Sequence, residues 1–252
     1  MIGGSRDKNV HSLAEVKSFF VRPDTSQIEV RTKAPMLRPR SNFGCTINVA
    51  ANEIIVAGGY ENGKLTRSCE LYSVADDAWR ELPPLNEEKC SSALCVLASR
   101  YVYCLGGLAK TDQGAYLLST IEMLDLKAAV PRWVSLAYRL PQQVCDIGAV
   151  PINEKQILLC GGWNKQPQVT SFILEQYRTS PTQMAPGGAQ AQDQVGHKFV
   201  HVNSAMDKPD FFLVTGVAME CPQDPTRIRI CGHGQVFTFN LTNLTFEGST
   251  SF

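Results

Sequence analysis

The stretch Ile47-Asn48-Val49-Ala50-Ala51-Asn52-Glu53-Ile54-Ile55-Val56-Ala57-Gly58-Gly59 decides the fold. Two β-branched, apolar runs flank the turn residues Ala51-Asn52-Glu53, and the second run stops on a glycine doublet, so the segment reads as a strand, a tight turn and a strand. The doublet recurs as Gly3-Gly4, Gly58-Gly59, Gly106-Gly107 and Gly161-Gly162, with a degenerate Thr215-Gly216, at intervals of 55, 48, 55 and 54 residues. A period of about 50 residues with several short strands per unit is the signature of a β-propeller array.

Working outward, Tyr60-Glu61-Asn62-Gly63 supplies residues that tolerate positive φ and turns the chain into Ser68–Val74, which alternates with period two. Asp76-Asp77 then leads into Trp79-Arg80-Glu81-Leu82, and Pro83-Pro84 ends the unit. Four strands in this span make one antiparallel sheet. The grammar repeats in Leu94–Gly107, Thr120–Leu126 and Trp133, then in Ala149–Gly162 and Phe172–Tyr177, then from Phe199 through Phe211–Val214 and Gln235–Asn240 to Leu244–Phe246. The units fall at roughly 1–38, 39–86, 87–141, 142–186 and 195–248, one propeller over 1–252. Segments at Pro181–Gln194 and Glu220–Arg229 read as insertions, and the tail from Glu247 to Phe252 as too short and polar for a closing strand.

An apolar run ending in Gly-Gly, then Tyr, then Trp about seven residues on, with Pro35-Met36-Leu37-Arg38-Pro39-Arg40-Ser41 ahead, resembles the kelch repeat. The best copy holds Gly58, Gly59, Tyr72 and Trp79; Gly106, Gly107 and Trp133 mark the next, and Gly161 and Gly162 a third. The resemblance implies an all-β, kelch-type β-propeller of about five four-stranded antiparallel blades. The first unit lacks its opening strand, so the chain reads as an incomplete propeller or a fragment of a larger one; the alternative is a five-bladed ring closed by its last segment. Tyr72, Trp79, Trp133 and the doublets read as structural positions, aromatics between blades and glycines where the backbone turns sharply.

Composition narrows function. The 252 residues carry 24 basic and 24 acidic side chains, so no net field favours nucleic acid or an anionic membrane. No apolar run is long enough to span a bilayer, and no secretory leader pattern opens the chain, which predicts a cytoplasmic protein without membrane insertion. Nine scattered cysteines without a CxxC pair read as reduced strand residues, Cys45, Cys95, Cys104 and Cys160 among them in apolar runs. His197 and His201 share a strand face too far apart for a metal pair, and Cys231-Gly232-His233-Gly234 reads as a turn; no catalytic motif, cofactor or metal is expected.

The expected function is a non-catalytic protein–protein interaction scaffold or adaptor. The resemblance implies docking on loops after the doublets and ahead of each first strand, which at matching positions are Arg40, Ser41, Tyr60, Lys64, Leu108, Lys110 and Trp163. It also admits a propeller enzyme, such as a copper-bearing oxidase or a sialate-modifying type, and the substrate-receptor portion of a ubiquitin ligase. The first needs a Tyr/His metal set or clustered Arg and carboxylates, which the sequence does not assemble. The second carries BTB and BACK domains ahead of its propeller, and this chain does not show them.

Overall fold

The computed structural model describes residues 1–7, 11–23, 25–164, 172–178, 195–201, 217–220, 224, 226–232, 235–243 and 245–251. Among them there is no α-helix, only β-strands and one 3₁₀ turn at Val49–Ala51. Two compact units divide the chain, Met1–Cys145 and Asp146–Phe252.

The first unit opens on a hairpin of β1 (Val16–Val21) and β2 (Ile28–Lys33). Next come β3 (Gly44–Asn48), β4 (Glu53–Ala57), a ribbon of β5 (Tyr60–Glu61) and β6 (Lys64–Leu65), then β7 (Cys69–Ser73) and β8 (Ala78–Leu82). The sheet order β3-β4-β7-β8 is a plain antiparallel meander, with the ribbon outside it. The pattern repeats in β9 (Ala93–Leu97), β10 (Tyr101–Leu105), the ribbon of β11 (Leu108–Thr111) and β12 (Gly114–Leu117), β13 (Ile121–Asp125) and β14 (Trp133–Ser135), with sheet order β9-β10-β13-β14. At the first β-turn Asn52 takes φ 52°, as the Ala51-Asn52-Glu53 reading required.

The second unit holds a sheet of β15 (Gly148–Asn153), β16 (Gln156–Cys160), β17 (Phe172–Arg178) and β18 (Val195–His201), and another of β19 (Val217–Glu220), β20 (Arg227–Gly232), β21 (Gln235–Asn240) and β22 (Thr245–Ser251). Here the sequence reading needs correction. Val195–His201 pairs along its length with Phe172–Arg178, so it closes the fourth repeat instead of opening the fifth. Val217–Glu220 and Arg227–Gly232 are paired strands, not an insertion, and the polar tail through Ser251 forms the last strand by pairing with Gln235–Asn240. Period and polarity misled because backbone pairing tolerates polar residues on an outer strand. Pro181–Gln194, Phe211–Val214, Thr215-Gly216 and His233 lie outside the described residues.

Apolar alternation explains the core of the first unit. Along β4 and β7, Ile55, Ala57, Cys69 and Leu71 share one face and pack with Leu94, Val96, Val102, Cys104, Leu124 and Trp133 of the next sheet. The opposite face, with Val56, Tyr72 and Trp79, packs against Val16 and Met36. Face-to-face burial of this kind stabilises at about 25 cal/mol per Å² of apolar surface. The doublets permit close approach: Gly58 has φ 65°, and a Cβ there would sit 2.4 Å from the Lys89 carbonyl oxygen. Six cysteines, Cys69, Cys90, Cys95, Cys104, Cys145 and Cys160, are buried free thiols, while Cys45 is exposed on β3 instead of in the core. Burial pushes the Cys95 and Cys160 thiols up to about 12.

Candidate functional site

Each repeat in the first unit has a lead-in segment ahead of its first strand, and that segment is clamped at equivalent places. The carbonyl of Arg40 accepts from Gly4 N–H at 2.9 Å, that of Lys89 from Gly59 N–H at 2.8 Å, and that of Val144 from Gly107 N–H at 2.8 Å. Arg40, Lys89 and Val144 are thus one structural position in three repeats.

The side chains at this position reach into the sheet. Arg40 donates to the carbonyls of Gly58 and Ser68, to Ser68 Oγ and to Glu70, with guanidinium and carboxylate both buried. Glu70 also accepts from the N–H groups of Leu37 and Arg38. One repeat later Lys89 Nζ lies 2.7 Å from Glu122 and 3.1 Å from Thr120 Oγ1, and Glu122 accepts from Asn86 N–H. Trp79 Nε1 donates to the Ala34 carbonyl and Trp133 Nε1 to that of Pro83, each at 2.9 Å. Tyr72 stacks tilted on Trp79 at 5.0 Å and donates to Asp77, which burial and that bond answer by raising the phenol to about 12.

These contacts settle where two expected docking residues lie. Arg40 is 0% and Ser41 2% exposed, so neither offers a surface to a partner; the Arg-Ser pair is an internal clamp. The signal for this was available, since Glu70 and Glu122 interrupt apolar strands at matching places, and a carboxylate there needs a buried partner.

The remaining candidates sit on the ribbons or beside a doublet. Tyr60 and Ser41 exchange main-chain hydrogen bonds at 2.8 and 3.0 Å, and Leu108 and Cys90 do the same at 2.9 and 3.0 Å. Tyr60 is half-buried, and burial, followed by the Cys90 thiol beside it, raises its phenol. The β5–β6 ribbon turns at Asn62 and Gly63, both at positive φ, the Asn-Gly chemistry of a two-residue hairpin. Lys64 on β6 and Lys110 on β11 are exposed, as is Tyr116 on β12, a residue the sequence reading passed over. In the second unit Trp163 follows its doublet 43% exposed. Among the described residues no group of three His, Cys, Asp or Glu side chains could hold a metal ion. No helix of the described residues is long and apolar enough to cross a membrane.

Doublets, meander sheets, ribbons and clamped lead-ins define a repeat protein built of β-propeller blades. The family model for the "Kelch motif" matches residues 41–86, the best copy in the sequence. Over 103 residues, 41% of this chain, it is 35% identical to Kelch-like protein 40 of Mus musculus, of which the match spans 16%. It is 30% identical over 119 residues to F-box/kelch-repeat protein SKIP20 of Arabidopsis thaliana, covering 46% of this chain and 28% of that one. It is 32% identical over 84 residues to Kelch repeat and BTB domain-containing protein 2 of Ectromelia virus, covering 33% and 14%. The chain is a kelch-repeat protein, and its matches span less than a third of each of these relatives.

Proposed function

We propose that this chain is a non-catalytic interaction module that docks a partner protein on the face carrying the ribbons that follow the doublets. One observation carries the reading: the rigid, doubly clamped repeats of the first unit each raise a two-stranded ribbon whose side chains, Lys64 in one and Lys110 and Tyr116 in the other, stand exposed. Recognition concentrates on loops held by a stiff scaffold, and exposed aromatic and cationic side chains are the usual anchors. Trp163 offers the same chemistry after the doublet of the second unit.

The test is direct. A protein captured from extract by the chain is purified and titrated against wild type, Lys110→Glu, Tyr116→Ala and Trp163→Ala, with circular dichroism confirming the fold. The expectation is a loss of at least about tenfold in affinity, about 1.4 kcal/mol, for one or more variants. Full affinity in all three overturns the reading. A second reading, a substrate receptor of a ubiquitin ligase, draws support from the F-box and BTB names of two relatives. It predicts that the captured proteins include ligase components or become ubiquitinated in the chain's presence.

A further inference from the structure

The hairpin of β1 and β2 is the outer half of a blade. Gly3 N–H donates to the Glu15 carbonyl as Gly58 N–H does to that of Ser68, so Val16 corresponds to Cys69, Lys17 to Glu70 and Phe19 to Tyr72. The pairing Phe19↔Val30 matches Tyr72↔Trp79. In the second repeat five residues of β4, Glu53 to Ala57, pair with β7. In the first, Met1 and Ile2 supply only the two rungs nearest the doublet: Met1 exchanges main-chain bonds with Lys17 at 2.7 and 2.9 Å, and Ile2 bridges Val16.

Antiparallel strands alternate the side to which they aim their hydrogen-bonding groups. Because Lys17 faces Met1, Phe19 and Val21 aim N–H and C=O to the same side, where no described residue pairs with them. Period two also places Phe19 and Val21, with Val30 and Ile28 across the hairpin, on one face, and these are 54%, 58%, 51% and 65% exposed. Their counterparts Tyr72 and Trp79 are 3% and 9% exposed. An unpaired strand with an apolar face recruits another strand.

We propose that this edge of β1 is a β-augmentation site for an extended apolar peptide strand donated by a partner protein. The strand lies antiparallel to β1 and takes up the ladder where Met1 leaves it. Its chemistry follows from the repeat: the residue opposite Phe19 holds the place of Ile54 and the one opposite Ser18 that of Ile55, so both are β-branched or otherwise apolar. This surface is separate from the ribbon face.

The probe is a peptide with the sequence of Asn52–Ala57, flanked by lysines for solubility, added to the full 252-residue chain. Amide hydrogen exchange is read by NMR. At saturating peptide the Phe19 and Val21 amides are expected to slow at least tenfold, while a control peptide with Asp at both isoleucine positions leaves them unchanged. Phe19→Pro removes the N–H that faces the open side and abolishes binding, with exchange at Ser18 and Phe20 reporting that the hairpin persists. Should that variant unfold, Val30→Lys carries the test and is expected to weaken the peptide at least tenfold. Unchanged Phe19 exchange, equal slowing by the control peptide, or Phe19 already protected in a peptide-free dimer seen by light scattering overturns the proposal.

Discussion

The same position is solved with charge in two repeats and without it in the next. Arg40 meets Glu70 and Lys89 meets Glu122, both pairs buried. At the corresponding places the chain then has Val144 and Phe172, which register equates with the cation and the carboxylate: Phe172 pairs with Leu159 as Glu122 pairs with Cys104 and Glu70 with Val56. Cation and anion disappear together. A buried ion pair can be exchanged whole for apolar residues at little cost, whereas losing one partner strands a charge. The main-chain clamp survives the exchange, since the Val144 carbonyl still accepts from Gly107. The charged pair therefore adds a local tie, through Glu70 to Leu37 and Arg38, to a geometry the backbone already specifies.

The largest break in this comparison comes from halving a pair. Glu70→Ala leaves Arg40 buried without a counter-charge and removes two acceptors for main-chain N–H groups; it is expected to cost about 3–5 kcal/mol, read as a lowered denaturant midpoint. A loss under about 1 kcal/mol would show that the clamp rests on the backbone alone.

The sheet that carries Phe172 has its own sensitive group. His197 on β18 is buried, and burial lowers its imidazole to about 4. The folded form stays neutral where the unfolded chain takes a proton, so stability is full above about pH 6.5 and falls as the pH drops toward 4, by at most about 3 kcal/mol. His197→Gln is expected to flatten that slope, measured as unfolding midpoint against pH; an unaltered slope refutes the assignment.

Arg40→Lys sharpens the contrast between the two charged repeats. Arg40 satisfies four acceptors on Gly58, Ser68 and Glu70, while Lys89 contacts Thr120 and Glu122. A lysine at 40 keeps the charge but gives up the planar fork, at an expected cost of about 1–2 kcal/mol. The smallest effect belongs to the double exchange Lys89→Val with Glu122→Phe, which copies the apolar solution; its midpoint is expected within about 1 kcal/mol of wild type, well above that of Glu122→Phe alone.

Much of this was legible in the sequence. The doublets, Tyr72, Trp79 and Trp133 announced the meander and its register, because glycine tolerance and aromatic burial leave strong local marks. The clamp was not read from Arg40, since a cation before a strand looks the same whether it faces water or a carboxylate 30 residues away. The half-blade was visible only as an opening strand too few. The strand Val195–His201 was placed in the wrong repeat because outer strands carry little apolar signal to fix their register. Exposure of the ribbon residues depends on hairpins that the Asn62-Gly63 turn foretold and the Thr111–Gly114 turn did not.

The indole bonds set an order of events during synthesis. Trp79 lies 45 residues after Ala34 and Trp133 lies 50 after Pro83, so each lead-in emerges from the ribosome well before the side chain that pins it. At about 5–20 residues per second that interval is about 2–10 s. During it the carbonyl of Ala34 or Pro83 waits in water, and each repeat locks only when its own last strand has been made. The nascent chain therefore matures in discrete, sequential clicks, each completed before the following sheet has a finished face to pack against.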